Sequence, residues 1–172
     1  GLSGLTEFPH LHSTVRHQGQ VIDPFTGQSR MAGCGRTGTP MWHTDQPVSY
    51  EPFALYHAGV VGSPLQIDAI RAGKIEDPPP SVTSAALVLW VDILGVEVGD
   101  RVHFHLTGPE GVVVLDHVTT IAKTQARHFA FAGARRSADL WPPGTYRGEI
   151  ALVRENQGQA LRGAVQRTMT IR

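Results

Sequence analysis

The chain has 172 residues, enough for one well-packed domain plus an appendage. Hydrophobic residues make up 41% and charged residues 17%, a globular composition with a charge-poor surface. Formal net charge is zero and the densest basic spot is only Arg135-Arg136, which argues against electrostatic capture of nucleic acid or an anionic membrane. No segment reads as a signal peptide or a membrane span.

The first element is Pro9-His10-Leu11-His12, set after the Gly1-Leu2-Ser3-Gly4 turn. Side chains on a strand alternate, so His10 and His12 share one face and Leu11 takes the other. Two converging imidazoles suit a zinc site, one as ligand and one for proton work. Leu11 to Arg16 reads as a strand and His17-Gln18-Gly19-Gln20 as a turn, with Gly19 able to take positive φ. Val21-Ile22 begins the return, and Asp23-Pro24 closes it. In this order Gly1-x-Ser3-Gly4, Pro9-His10-x-His12, Val15-Arg16, Gly19 and Val21-Ile22-Asp23-Pro24-Phe25 resemble the C-terminal signature of the lysostaphin-like (LytM-type) zinc metallopeptidases, which cut peptide cross-links of bacterial peptidoglycan. The resemblance implies that His12 is a zinc ligand and His10 a catalytic histidine beside the metal. Phe8 stands where the family commonly has Gly, and Ser13-Thr14 replace its aromatic-acidic pair.

The family's first ligand pair, His-x-x-x-Asp, and its second catalytic histidine belong upstream of this signature. None of the nine histidines here has Asp four residues later, and His43-Thr44-Asp45 has the wrong spacing. Zinc generally takes at least three protein ligands, so the resemblance implies an incomplete Zn2+ site and a chain that is inactive alone. The missing ligands would come from upstream sequence, an N-terminal fragment of the same protein or a second copy. The hairpin, read as residues 1–28 of a peptidase sheet, would leave unpaired edges unless packed on its own C-terminal domain, on another chain or on such a fragment.

Residues 29–47 are rich in Gly, Pro, Ser and Thr and read as a linker or wrapping loop. Trp42 within it reads as a loop anchor or a substrate contact. Cys34, the single cysteine, reads either as a small residue of a Gly-rich loop or as half of a disulfide to a cysteine upstream of Gly1.

Residues 48–172 are expected to form a β-sandwich. Tyr50 to Val61 reads as a strand. Ser63-Pro64 then signals a short helix over residues 64–73, ended by Gly73. Glu76-Asp77-Pro78-Pro79-Pro80-Ser81 is a stiff break, read as a domain boundary or the start of a strand. Six more strands follow, over residues 85–94, 101–107, 112–118, 127–132, 144–154 and 162–171, separated by turn residues such as Gly108-Pro109-Glu110-Gly111 and Pro142-Pro143-Gly144. The fold class expected is mainly all-β: terminal strands of a peptidase sheet, then an immunoglobulin/fibronectin-like sandwich with one short helix. Trp90 reads as the core tryptophan and Trp141 as a turn plug. In Val102-His103-Phe104-His105-Leu106 the apolar residues face a core, and His103 and His105 read as a polar strand face with metal binding only incidental.

Two classes of function stand. One is a portion of a zinc-dependent peptidoglycan endopeptidase acting in the periplasm, at the cell envelope or after secretion, with the sandwich as accessory domain. The other is a non-enzymatic β-sandwich binding or interaction module, or a degenerate regulator of cell-wall hydrolases. Gly33-Cys34-Gly35-Arg36-Thr37-Gly38 only approximates a phosphate loop, since no strand and helix flank it.

Overall fold

The computed structural model describes residues 13–29, 38–62, 65–71, 79–156 and 158–172. The chain divides into two compact units, Gly1–Glu51 and Pro52–Arg172.

The first unit holds a three-stranded antiparallel sheet in the order β1-β2-β3, formed by Val15–His17, Gln20–Asp23 and Gln28–Ser29. Gln18 and Gly19 both take positive φ (49° and 79°), which matches the handed two-residue turn that a twisted hairpin prefers. That turn sets the register His17 with Gln20, Arg16 with Val21 and Val15 with Ile22. Asp23 organises the next turn: its carboxylate accepts hydrogen bonds from the Phe25 N–H (2.9 Å) and the Thr26 hydroxyl (3.2 Å), and its carbonyl accepts from the Gly27 N–H (2.8 Å). Trp42 is half-buried and meets Phe25 edge-on at 5.3 Å, and Phe25 meets Tyr50 at 5.5 Å, so within this unit Trp42 anchors its loop.

The second unit is a two-sheet β-sandwich. One sheet has the order β4-β5-β8, from Ala54–Val61, Ala86–Val96 and Gln125–Arg135. The other has the order β10-β9-β6-β7, from Gln159–Ile171, Gly144–Asn156, Arg101–Thr107 and Val113–Thr120. The three-plus-four arrangement with antiparallel pairing is the expected all-β sandwich. Tyr146 adds the corner that such sandwiches use. Its hydroxyl donates to the Pro142 carbonyl at 2.8 Å, just before β9 starts.

Period-2 patterning builds the core between the sheets. Leu87, Leu89, Val91 and Ile93 of β5 pack with Val102, Phe104 and Leu106 of β6 and with Tyr146, Ile150 and Leu152 of β9. Gly148 is the close-approach point, because a Cβ there would lie 2.4 Å from a Leu89 methyl. Strand β5 is buried on both faces. On the face away from the main core, Trp90 and the partly buried Val88 belong to a second cluster, in which Trp90 packs with Val61 and with Ile70 of the short helix α1, Ile67–Arg71.

Some expectations shift by a few residues. The first sandwich strand starts at Ala54 rather than Tyr50, after Pro52. The helix spans Ile67–Arg71, and Ser63, Pro64 and Gly73 lie outside the described residues. Pro79 and Pro80, the described part of the proline run, precede β5 within the single unit Pro52–Arg172, so the strand-entry reading holds and the division between units lies earlier, at Glu51. Trp141 is buried as a plug, donating its indole N–H to the Ser84 carbonyl at 2.8 Å. No helix among the described residues is long and apolar enough to cross a membrane.

Candidate metal centre

His10, His12 and Cys34 lie outside the described residues, so the geometry of the N-terminal candidates does not enter here. The described residues of that signature form the β1-β2 hairpin and the Asp23 turn that follows the two histidines.

Among the described residues a different group brings metal-binding atoms together: His103 and His105 of β6 with Asp116 of β7. The local sequence explains its placement. Val102, Phe104 and Leu106 are fully buried, which fixes the backbone of β6 and turns His103 and His105 to the outer face of the sheet. The turn after β6 then sets the register. Gly108 donates its N–H to the Val112 carbonyl (2.8 Å), Glu110 and Gly111 take positive φ (59° and 77°), and the pairing shifts between Leu106 and Thr107. The result is that Asp116 stands directly across from His105, on the same face.

The three side chains are half-exposed to exposed, and their candidate ligand atoms all lie within 4.8 Å of one another. His103 Nε2 is 2.5 Å from Asp116 Oδ1, and His105 Nδ1 is 3.8 Å from Asp116 Oδ2. The two rings are tilted by 55° with centroids 5.9 Å apart. The hydrogen bond from His103 holds the Asp116 carboxyl below the usual carboxylate range, against the desolvation that would raise it. His105 Nδ1 is buried as an atom and has no hydrogen-bond partner among the described residues. On the other side of β6, Glu149 of β9 stands across from His105 and accepts a hydrogen bond from Gln166 at 2.8 Å. Sequence reading left the histidine pair as a polar face. The missing signal was the cross-strand register that supplies the carboxylate.

The chain matches no family model, no curated protein and no solved structure. The chemistry therefore has to be read from the donor set: two imidazoles and one carboxylate, with space left toward solvent.

A buried ionic group serves the fold instead. Asp92 of β5 is held by Arg127, whose Nε lies 2.9 Å from Oδ2, and by Arg71 of α1 at 3.4 Å. His128 stands beside this group with its Nδ1 2.8 Å from Gln125 Oε1. Burial lowers the His128 pKa and the Arg71 charge lowers it further, outweighing Asp92. A folded-state histidine below its ordinary value of about 6.5 binds fewer protons than the unfolded chain, so stability falls as pH drops through that value toward the folded-state pKa. His128→Gln is expected to reduce the loss of thermal midpoint between pH 7.5 and pH 5.5. An unchanged pH dependence would show that other histidines account for it.

Proposed function

We propose that this chain is part of a zinc-dependent metalloendopeptidase that hydrolyses peptide cross-links of bacterial peptidoglycan at the cell envelope, and that the sandwich is its accessory domain. The observation carrying this reading is the ordered series Gly1-x-Ser3-Gly4, Pro9-His10-x-His12, Val15-Arg16, Gly19 and Val21-Ile22-Asp23-Pro24. The tight hairpin at Gln18-Gly19 and the turn built on Asp23 support it, because they give the Gly and the Asp-Pro of that series a local reason.

On this reading His12 would hold Zn2+ as a neutral imidazole, and His10, two residues earlier in the sequence, would donate a hydrogen bond to the reacting oxygen. Bound zinc supplies a Lewis acid for the scissile carbonyl and an acidified water. The upstream sequence, an N-terminal fragment or a second copy completes the ligand set, since a catalytic zinc takes three protein ligands.

Replacing His12 by alanine in the intact protein is expected to abolish zinc-dependent release of cross-linked peptides from purified peptidoglycan. The sandwich should keep its thermal midpoint. Hydrolysis retained at the parent rate in that variant would refute the role of His12, and with it the reading.

A further inference from the structure

We propose that the outer face of the four-stranded sheet carries a second metal site, in which His103, His105 and Asp116 bind a divalent transition ion of the zinc class. The inference does not depend on the reading of residues 1–25. It rests on three side chains from two hydrogen-bonded strands.

The donor set selects the ion. Two imidazoles and one carboxylate suit zinc and its borderline neighbours, whereas magnesium and calcium prefer an all-oxygen shell. The arrangement also selects the ligand atoms. His103 presents Nε2 and His105 presents Nδ1, while the two oxygens of Asp116 face them separately, at 2.5 Å and 3.8 Å. Without an ion Asp116 satisfies one imidazole by a hydrogen bond, and the buried His105 Nδ1 has no hydrogen-bond partner among the described residues. An ion placed among the three atoms meets both nitrogens at once, and little movement is needed because all candidate ligand atoms already lie within 4.8 Å.

The backbone under the site is rigid. His103 and His105 alternate with three core residues that are fully buried, so the two imidazoles are held in place from below. This differs from three mobile surface side chains meeting by chance, because loop entropy does not oppose binding. The surface position has a second consequence. Three protein ligands leave at least one coordination position toward solvent, where zinc keeps water or takes a donor from a partner or substrate. Glu149, directly across from His105 on β9, is the nearest carboxylate in register to orient such a group. Among the described residues strand β7 ends the sheet and pairs only with β6, so an ion bridging His103, His105 and Asp116 also fastens the edge strand to its neighbour.

The test uses the full 172-residue chain carrying His12→Ala, so that the histidine assigned to the peptidase site cannot contribute. Zinc alone is titrated against a chromophoric chelator, and cobalt(II) is added separately to record its visible d–d spectrum. The expected result is one zinc per chain, a cobalt spectrum shifted from that of the aqueous ion, and a thermal midpoint raised by roughly 5–10 °C at a hundredfold excess of zinc over Kd. Asp116→Asn and His105→Ala should each weaken zinc binding at least tenfold and remove the thermal shift. Asp116 is exposed and asparagine is nearly isosteric, so this variant is expected to fold with the parent circular dichroism spectrum. Zinc retained with undiminished affinity in Asp116→Asn and His105→Ala would place the ion elsewhere and overturn the proposal. Absence of retained zinc in the His12→Ala chain would overturn it too. Neither result bears on wall hydrolysis, which is the separate test of His12.

Discussion

Asp100→Ala is expected to destabilise the sandwich by about 3–5 kcal/mol, because it leaves a guanidinium buried without its main partner. The side chains of Arg154 and Asp100 are 6% and 1% exposed. Arg154 donates from Nε to Asp100 Oδ1 (2.8 Å) and from Nη2 to Oδ2 (2.7 Å), a two-pronged pair. Arg154 also donates to the Glu97 carboxylate (2.8 Å) and the Gly95 carbonyl (2.6 Å), and its guanidinium lies over the face of Phe53, 5.2 Å from the ring centre. Asp100 also accepts the Glu97 N–H at 2.8 Å, so one carboxylate both shapes the β5–β6 turn and neutralises an arginine from the end of β9. That turn carries the chain from one sheet to the other, and the pair locks the crossing.

Equilibrium urea unfolding would measure the loss. A change below about 1 kcal/mol would mean that the guanidinium escapes to water when Asp100 is removed. A pair of apolar replacements, Asp100→Leu with Arg154→Met, should cost less than Asp100→Ala alone, since it removes both charges. Burial alone would raise the Asp100 carboxyl, but the hydrogen bonds from Arg154 and the Glu97 N–H and the Arg154 charge outweigh it, and the net effect is downward. A carboxyl lowered by folding contributes stability above its unfolded value of about 3.9, and that contribution is lost as pH falls through the folded value. The parent should therefore lose more stability than the doubly apolar variant in that acid range.

Trp90→Ala is expected to cost about 3–5 kcal/mol, the range for removing a large aromatic from a packed site. Trp90 is 2% exposed and lies on the outer side of the β4-β5-β8 sheet, the side away from the main core. It stacks on Phe129 (5.7 Å, 12° between planes) and meets His57 edge-on at 4.8 Å. The Arg71 guanidinium sits 5.9 Å from the Phe129 ring, so α1, β5 and β8 share one cluster. The indole lies flat over β4 only because residue 59 is glycine: a Cβ there would be 2.6 Å from the ring. Gly59→Val should therefore displace the same ring and lower the thermal midpoint in the same direction. If Trp90→Ala cost less than about 1.5 kcal/mol, the helix-side cluster would be dispensable to the sandwich.

Much of the all-β fold was legible in the chain. Arg101–Thr107 was bounded correctly because Val102, Phe104 and Leu106 alternate without interruption and Gly108-Pro109 ends the run. The helix was visible from its apolar spacing but is shorter than expected among the described residues. The first sandwich strand begins later than its sequence suggests: Tyr50 and Phe53 look like strand residues, but Pro52 withholds a backbone donor and delays pairing to Ala54. For the candidate sites the division is sharper. The N-terminal histidines were found by motif, within a single short segment. For His103 and His105 the sequence shows only a polar face, because the carboxylate of Asp116 comes from the next strand and depends on a shifted register.

Sequence by itself determined which residues turn inward. The period-2 pattern of β6, β9 and β10 sends Phe104, Ile150 and Ile171 to the core and leaves His103, His105 and Glu149 outside, and no long-range information is needed for that. Only the tertiary structure decided which outward residues meet. Asp116 reaches His105 through the Gly108–Val112 turn and the shift between Leu106 and Thr107; a slip of one residue would send Asp116 to the core face. Asp92 likewise finds Arg127 and Arg71, and Asp100 finds Arg154, across 21 to 54 residues of chain. Alternation is a local property of a strand, whereas pairing is fixed by how strands close on one another, and that closure is where the sandwich brings together its buried charges and the side chains of His103, His105 and Asp116.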